Sequence, residues 1–146
     1  MRRIWLMMTL ALMFAAVMAL SGVVQAKKPV GGSADAQCLK LAIRTLGPGF
    51  NPSGYTFIGG TEGNDDFGQG TAGPDVFCGF GDRDSVLTLD AGDIFLGGDG
   101  ADAVGANNGT FYGGAGDDIV YTNEGTFYGG EGNDRVLGPG RGTFVQ

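Results

Sequence analysis

The chain has no histidine, and it has only two cysteines and nine basic residues among its 146 residues. Without histidine, and with its carboxylates recurring inside a glycine-rich repeat, the sequence offers no paired nucleophile and general base. We therefore predict no catalytic activity. The nine lysines and arginines stand against sixteen acidic residues, which gives a formal net charge of −7 at pH 7. Because such an acidic chain repels polyanions, we expect no nucleic-acid partner.

The first 26 residues have the three parts of a secretory signal peptide. Arg2 and Arg3 precede an apolar run from Ile4 to Leu20, and the small residues Val24 and Ala26 form a processing site. We predict cleavage after Ala26, and hence a secreted, extracellular protein that does not contact the membrane once cleaved. The alternative is a retained anchor, because the apolar run is just long enough to span a bilayer.

Residues 27–56 differ in composition from the rest and are predicted to be a linker followed by an N-terminal cap. The stretch AQCLKLAIRTL fits a short helix or a strand, and its periodicity does not decide between them. In an exported chain, an even cysteine count suggests a disulfide, here between Cys38 and Cys78. Two buried thiols are the alternative. We expect the segment from Cys38 to Tyr55 to cover the first turn of the following domain, held there by the disulfide.

Glycine is abundant, with 30 residues, and three copies of one nine-residue phrase account for many of them. The copies are GGDGADAVG from Gly97, GGAGDDIVY from Gly113 and GGEGNDRVL from Gly129. Each has glycine at its first, second and fourth positions, aspartate at the sixth and valine at the eighth. Glycine permits left-handed turns in which backbone carbonyls approach a cation, and aspartate supplies a hard anionic oxygen. The valine begins an alternating pattern, so each phrase predicts a loop followed by a strand.

Weaker copies of the phrase begin at residues 60, 70, 79 and 88. All seven copies keep the sixth-position aspartate, which gives Asp65, Asp75, Asp84, Asp93, Asp102, Asp118 and Asp134. The last two intervals are sixteen residues, because the seven-residue units ANNGTFY and TNEGTFY replace full nonapeptides and lack the aspartate. A solenoid with two strands and two loops per turn fits this spacing. Its predicted inward ladders are Val86, Val104, Val120 and Val136 on one sheet, and Phe77, Phe95, Phe111, Phe127 and Phe144 on the other.

From Gly60 to Leu137 these phrases resemble the haemolysin-type calcium-binding repeat family, also called the RTX nonapeptide repeat, whose pattern is G-G-x-G-x-D-x-U-x. The resemblance implies an all-β fold, a right-handed parallel β-roll or β-solenoid over residues 57–146. It also implies Ca²⁺ bound between neighbouring loops by loop carbonyls and the seven sixth-position aspartates named above. Because Thr88 and Leu89 replace both leading glycines of one copy, and Asp82 replaces a loop glycine of another, we expect weaker sites at Asp93 and Asp84.

These observations predict a secreted calcium-binding protein whose folding depends on external calcium. The alternative is a surface-binding or adhesive module. Its outward ladder would consist of Thr110, Thr126 and Thr143 beside Tyr112 and Tyr128, with a cell-surface or carbohydrate partner. Ordinary strand propensity explains the same threonines and tyrosines. The final strand, GTFVQ, lacks a polar cap, and an exposed edge there favours end-to-end self-association.

Overall fold

The computed structural model describes residues 32–146, which form one helix and ten strands. The predicted signal peptide and the first five residues of the linker lie outside this range. The helix α1 spans Ser33–Leu46. The strands are β1 Thr56–Gly59, β2 Asp75–Gly81, β3 Ser85–Leu89, β4 Ile94–Asp99, β5 Ala103–Asn107, β6 Thr110–Ala115, β7 Ile119–Asn123, β8 Thr126–Glu131, β9 Arg135–Val136 and β10 Thr143–Val145.

The strands form two parallel sheets, which confirms the predicted β-solenoid. One sheet has six strands in the order β1-β2-β4-β6-β8-β10, and the other has four in the order β3-β5-β7-β9. From β2 onwards consecutive strands alternate between the sheets, so each of these turns contains one strand from each sheet and the two loops that join them. Between β1 and β2, only isolated bridges at Asp66 and Gln69 pair with the four-stranded sheet. The nonapeptide loops therefore stack in two rows, one along each edge of the solenoid.

The interior consists of the two apolar ladders expected from the repeat, except that Phe144, the last predicted member, stacks on Phe127 but is 39 % exposed because no further turn covers it within the described residues. Phe77, Phe95, Phe111 and Phe127 follow one another in register on the six-stranded sheet, and all four are fully buried. The rings of Phe95, Phe111 and Phe127 stack with centroids 4.9 and 4.8 Å apart. The valine ladder from Val86 to Val136 faces them from the other sheet. Large rings opposite smaller valines fill the thin space between the sheets. The glycine-rich loops contribute no side chains to this packing.

The N-terminal segment is a helix, which resolves the ambiguity left by its sequence. Helix α1 lies on the outward face of the six-stranded sheet, where Cys38 and Ala42 pack with Val76, Cys78 and Leu96. The predicted disulfide between Cys38 and Cys78 is present. Asp35 accepts hydrogen bonds from the backbone N–H groups of residues 32 and 59, which fixes the start of the helix beside the end of β1. Within residues 32–146, no helix combines the length and the apolar content needed to cross a membrane.

Candidate metal centre

The seven predicted ligands lie in the loops at the two edges of the solenoid. Asp65, Asp84, Asp102, Asp118 and Asp134 follow one another along one edge, which we call the acidic edge. Asp75 and Asp93 lie on the opposite edge. Six of the seven side chains are buried, and Asp65 is half-buried. The sixth position of every copy thus lies in an edge loop, and all seven carboxylates are at least half-buried there.

Each aspartate is tied to the one a turn earlier through its Oδ1 atom. Asp84 Oδ1 accepts a hydrogen bond from the backbone N–H of Asp65 at 2.8 Å, and Asp102 Oδ1 accepts one from Asp84 at 2.8 Å. The same bond recurs at Asp118 and Asp134, and Asp93 makes it with Asp75 on the opposite edge. This ladder holds the carboxylates in register from turn to turn.

The second carboxylate oxygen divides the loops into two groups. In the four loops that begin at residues 79, 97, 113 and 129, the Oδ2 atom is buried and has no hydrogen-bond partner among the described residues. We call these the open loops, and their aspartates are Asp84, Asp102, Asp118 and Asp134. A buried carboxylate oxygen without a donor is unfavourable, because burial removes the water that would otherwise solvate it. A cation that fits the loop would supply the missing partner.

The loops that begin at residues 60, 70 and 88 satisfy their aspartates internally, and we call them self-capped. Asp65 Oδ2 accepts hydrogen bonds from the backbone N–H and the hydroxyl of Thr61. Asp75 is bonded in the same way by Thr71, with Oδ2 accepting from the backbone and Oδ1 from the hydroxyl. Asp93 Oδ2 accepts from the backbone N–H of Asp90 at 2.9 Å. Asp65, Asp75 and Asp93 thus have partners on their carboxylates without any metal.

Backbone conformation at the second and fourth positions explains this division. Both positions have positive φ in every open loop, for example +111° at Gly98 and +130° at Gly100. The self-capped loops at 60 and 70 have threonine at the second position and no positive φ at either position. The open loop at 79 has Phe80 and Asp82 there, with φ of 80° and 65°. Asp84 therefore lies in a loop of the same conformation as the glycine-rich loops, although Asp82 replaces a glycine.

Glycine at the first position of the open loops at 79, 97 and 113 leaves room for two converging oxygens, and Gly129 leaves room for the carboxylate alone. A Cβ atom on Gly97 would lie 2.2 Å from Asp102 Oδ2 and 2.5 Å from the carbonyl oxygen of Gly113, one turn later. A Cβ atom on Gly113 would likewise lie 2.0 Å from Asp118 Oδ2 and 2.5 Å from the carbonyl oxygen of Gly129. Any side chain here would displace the carboxylate and the carbonyl, so the repeat requires glycine for this approach.

The electrostatics of the open loops favour neutralisation of the aspartates. Burial, with a smaller contribution from the carboxylates of Asp65 and Asp82, raises the pKa of Asp84 to about 6. Burial also raises the pKa of Asp102 and of Asp118 to about 7, with a contribution from the neighbouring aspartates of the same row. Hydrogen bonds from the backbone act in the opposite direction but do not compensate for burial. Protonation or a bound cation would therefore stabilise this row of buried carboxylates.

The donor set fits calcium. Across residues 32–146, no three acidic, cysteine or histidine side chains come together in a group that could hold a metal ion by themselves, so any site would depend on backbone carbonyls as well. The open loops instead offer one carboxylate per turn together with backbone carbonyls, all hard oxygen donors of the kind that Ca²⁺ prefers. The ligands would be Asp84, Asp102, Asp118 and Asp134 with carbonyls of the stacked loops.

The opposite edge contains a feature that the sequence reasoning missed. Asn107 and Asn123 are buried at equivalent positions of consecutive turns, and Asn107 Nδ2 donates to Asn123 Oδ1 at 2.8 Å. The two side-chain amides also donate to the backbone carbonyls of Thr126 and Thr143. This asparagine ladder replaces the aspartates in the shortened loops. Its signal in the sequence is the asparagine two residues before the glycine in both ANNG and TNEG.

Comparison of the chain with protein-family models, with curated proteins and with solved structures found no match. The similarity to the calcium-binding nonapeptide pattern therefore depends on the residues of this chain and on the loop geometry described above.

Proposed function

We propose that this is an exported, non-catalytic calcium-binding protein whose complete folding depends on external calcium. The observation that carries the proposal is the row of four buried aspartate oxygens without hydrogen-bond donors, at Asp84, Asp102, Asp118 and Asp134. An ordinary turn-forming aspartate would bond to a nearby backbone amide, as Asp65 and Asp75 do. The open loops lack that bond although they have the same sixth-position aspartate.

Calcium would compensate for the burial and the mutual repulsion of these carboxylates. Stacked strands lie about 5 Å apart, so aspartates of consecutive turns repel one another when they are ionised. A divalent cation between two loops neutralises this charge and joins one turn to the next. Because the site includes atoms from two turns, it does not exist in the unfolded chain, and metal binding is coupled to folding.

Export supplies the condition under which this coupling is useful. Inside a cell, where free calcium is scarce, the acidic loops would keep the later turns unfolded. Millimolar calcium outside would fold them, since a ligand that binds only the folded state stabilises it by mass action. The predicted signal peptide over residues 1–26 is consistent with this route, and the net charge of −7 favours cations as partners.

An isosteric substitution tests the proposal. We expect Asp118→Asn to weaken calcium binding in a calorimetric titration by at least about tenfold, since it removes one charge from a site with few carboxylates. Asp75→Asn is the matched control, because Asp75 lies in a self-capped loop and Thr71 can bond to either side chain. Circular dichroism of the wild-type chain should show β-structure increasing with calcium. A spectrum already complete in chelator, or equal losses in the two variants, would contradict the proposal.

A second candidate function is binding of a carbohydrate or another cell-surface component to the outward face of the six-stranded sheet. The rings of Tyr112 and Tyr128 stack there with centroids 4.8 Å apart. A groove of about 490 Å³ lies between α1 and this face, with Leu41, Leu96 and Tyr112 in its wall and Asp99 and Glu131 also lining it. Aromatic faces beside acidic oxygens are typical of surfaces that bind sugars.

Lysine substitutions on this face distinguish the second function from the first. Thr126→Lys combined with Tyr128→Lys should abolish sedimentation of the protein with insoluble polysaccharides and leave calcium titration unchanged. Tyr128 is 39 % exposed, so the fold tolerates the change. If wild-type protein does not sediment, or the double variant sediments equally, the tyrosine face has no role in binding.

A further inference from the structure

We propose that residues 33–82 form a calcium-independent subdomain that holds the first open loop in its metal-binding conformation. Calcium then adds the later turns to this preformed start. The inference rests on the proposed calcium function and assigns a direction to the folding that calcium drives. We call residues 33–82 the N-terminal subdomain; it contains α1, β1, β2 and the first half of the open loop at residue 79.

The carboxylates buried in this subdomain already have partners within the protein. Asp65 and Asp75 accept hydrogen bonds from Thr61 and Thr71. Asp35 bonds to the backbone at residues 32 and 59. The unpartnered oxygens begin only at Asp84, which follows the subdomain along the chain. Removing calcium therefore leaves no uncompensated carboxylate in residues 33–82.

The subdomain also has its own apolar core and its own covalent link. Four of the five buried residues in the cluster on the outer face of the sheet belong to the subdomain, namely Cys38, Ala42, Val76 and Cys78, and the fifth is Leu96 of β4. This cluster is separate from the phenylalanine ladder. The disulfide joins α1 to β2 across 40 residues. Because this cluster packs a helix against strands, its stability does not require the loops of the acidic edge to be ordered.

Phe80 connects this cluster to the first open loop. It has a φ of +80°, which is rare for a bulky residue and is observed only when surrounding contacts enforce it. Its side chain packs against the helix cluster, and it lies two residues after the disulfide cysteine Cys78. The contacts with this cluster therefore hold this position of the loop in the left-handed conformation that glycine adopts in the later loops.

The later loops could not tolerate these side chains, which identifies the loop at 79 as the start of the stack. A Cβ on Gly98 would lie 2.4 Å from the carbonyl oxygen of Phe80, and a Cβ on Gly100 would lie 1.7 Å from that of Asp82. Each open loop thus lies directly on the carbonyls of the loop before it. The first open loop follows a self-capped loop, so Phe80 and Asp82 are accommodated. Stacking consequently extends from the N-terminal subdomain towards the C-terminus.

Hydrogen exchange of the full, oxidised chain with and without calcium tests the direction of folding. We expect peptides within residues 33–59 and 75–80 to be protected in both conditions, and peptides within 103–131 to be protected only with calcium. If protection is lost everywhere in chelator and returns everywhere with calcium, the inference is wrong and the proposed function stands. If protection persists everywhere in chelator, the calcium function itself is wrong.

A variant of Phe80 tests the connection between the helix and the first open loop. Phe80→Ala should raise the calcium concentration that protects residues 103–131 by about threefold, since the lost packing is shared among cooperatively bound ions. Phe80→Leu retains an apolar contact and should lie close to wild type. The matched control is Leu87→Ala, because Leu87 is 60 % exposed on the other sheet. Equal calcium midpoints for Phe80→Ala and Leu87→Ala would overturn the role of Phe80.

Discussion

Glycine at the fourth position of the nonapeptide has a different role in the two kinds of loop. In the open loop at 113, Gly116 has a φ of +136°, and a Cβ would lie 1.8 Å from the carbonyl oxygen of Gly100. In the self-capped loop at 70, Gly73 has no positive φ, and a Cβ would meet nothing within 4 Å. Glycine at the fourth position is thus required in the open loop and replaceable in the self-capped loop.

Alanine substitutions at these two glycines should therefore have unequal effects. Gly116→Ala should lower the free energy of unfolding in calcium by at least about 2 kcal/mol, because it adds backbone strain and a clash with a carbonyl. Gly73→Ala should change it by less than about 0.5 kcal/mol. Urea denaturation followed by circular dichroism measures both values. Similar losses in the two variants would show that the loops do not differ as described.

The raised pKa values of Asp84, Asp102 and Asp118 predict an unusual pH dependence for the metal-free chain. Burial raises the pKa of Asp84 from 3.8 to about 6 and those of Asp102 and Asp118 to about 7. The folded state therefore retains protons that the unfolded chain releases near pH 4. The stabilising contribution of these groups is complete below pH 4 and is lost as the pH rises through 6 to 7.

Urea denaturation in chelator should accordingly give a higher midpoint at pH 5 than at pH 8. Calcium competes with the same protons, so calcium affinity should increase over this interval and the order of the two midpoints should reverse at saturating calcium. A metal-free chain that is more stable at pH 8 than at pH 5 would contradict the assignment of the buried carboxylates.

At the scale of the structural element, the asparagine ladder stabilises the shortened loops of the opposite edge, which lack the sixth-position aspartate. Asn123 accepts a hydrogen bond from Asn107 and donates one to the carbonyl of Thr143, and both asparagines are buried. Asn123→Ala should reduce the free energy of unfolding by about 1–3 kcal/mol, because it leaves buried polar groups without partners. The reduction should leave calcium stoichiometry in a calorimetric titration unchanged. A loss of bound calcium would show that the two edges are not independent.

The strands and both ladders could be predicted from the sequence, because the buried valines and phenylalanines recur at intervals of eighteen and then sixteen residues, which permits a single register. The sequence of helix α1 was ambiguous, since the apolar residues Leu39, Leu41 and Ile43 fit the periodicity of a helix and that of a strand. The division between open and self-capped loops could not be predicted. The division depends on φ at the second position of the loop. Threonine at this position bonds to the aspartate and has no positive φ. Phe80 has the positive φ of glycine, and its side chain packs against the cluster that contains residues of α1.

At the scale of the whole molecule, the disulfide between Cys38 and Cys78 links the helix to the solenoid. Closing a loop of 40 residues stabilises the fold by about 4 kcal/mol through restriction of the unfolded chain. Reduction, or the double substitution Cys38→Ser and Cys78→Ser, should raise the calcium concentration required for folding. Tyrosine fluorescence during calcium titration measures this midpoint, and an unchanged midpoint would indicate that the solenoid folds without the helix.

The sixteen-residue interval of the later turns has a consequence for how this molecule could change in length. The turn from Thr110 to Gly125 pairs in the same register with the turns before and after it, Ile94 with Thr110 and Thr110 with Thr126. A tandem duplication of these sixteen codons would insert one more turn whose neighbours are the same as before. Evolution or design could therefore adjust the number of turns, and with it the number of open loops, without constructing a new core.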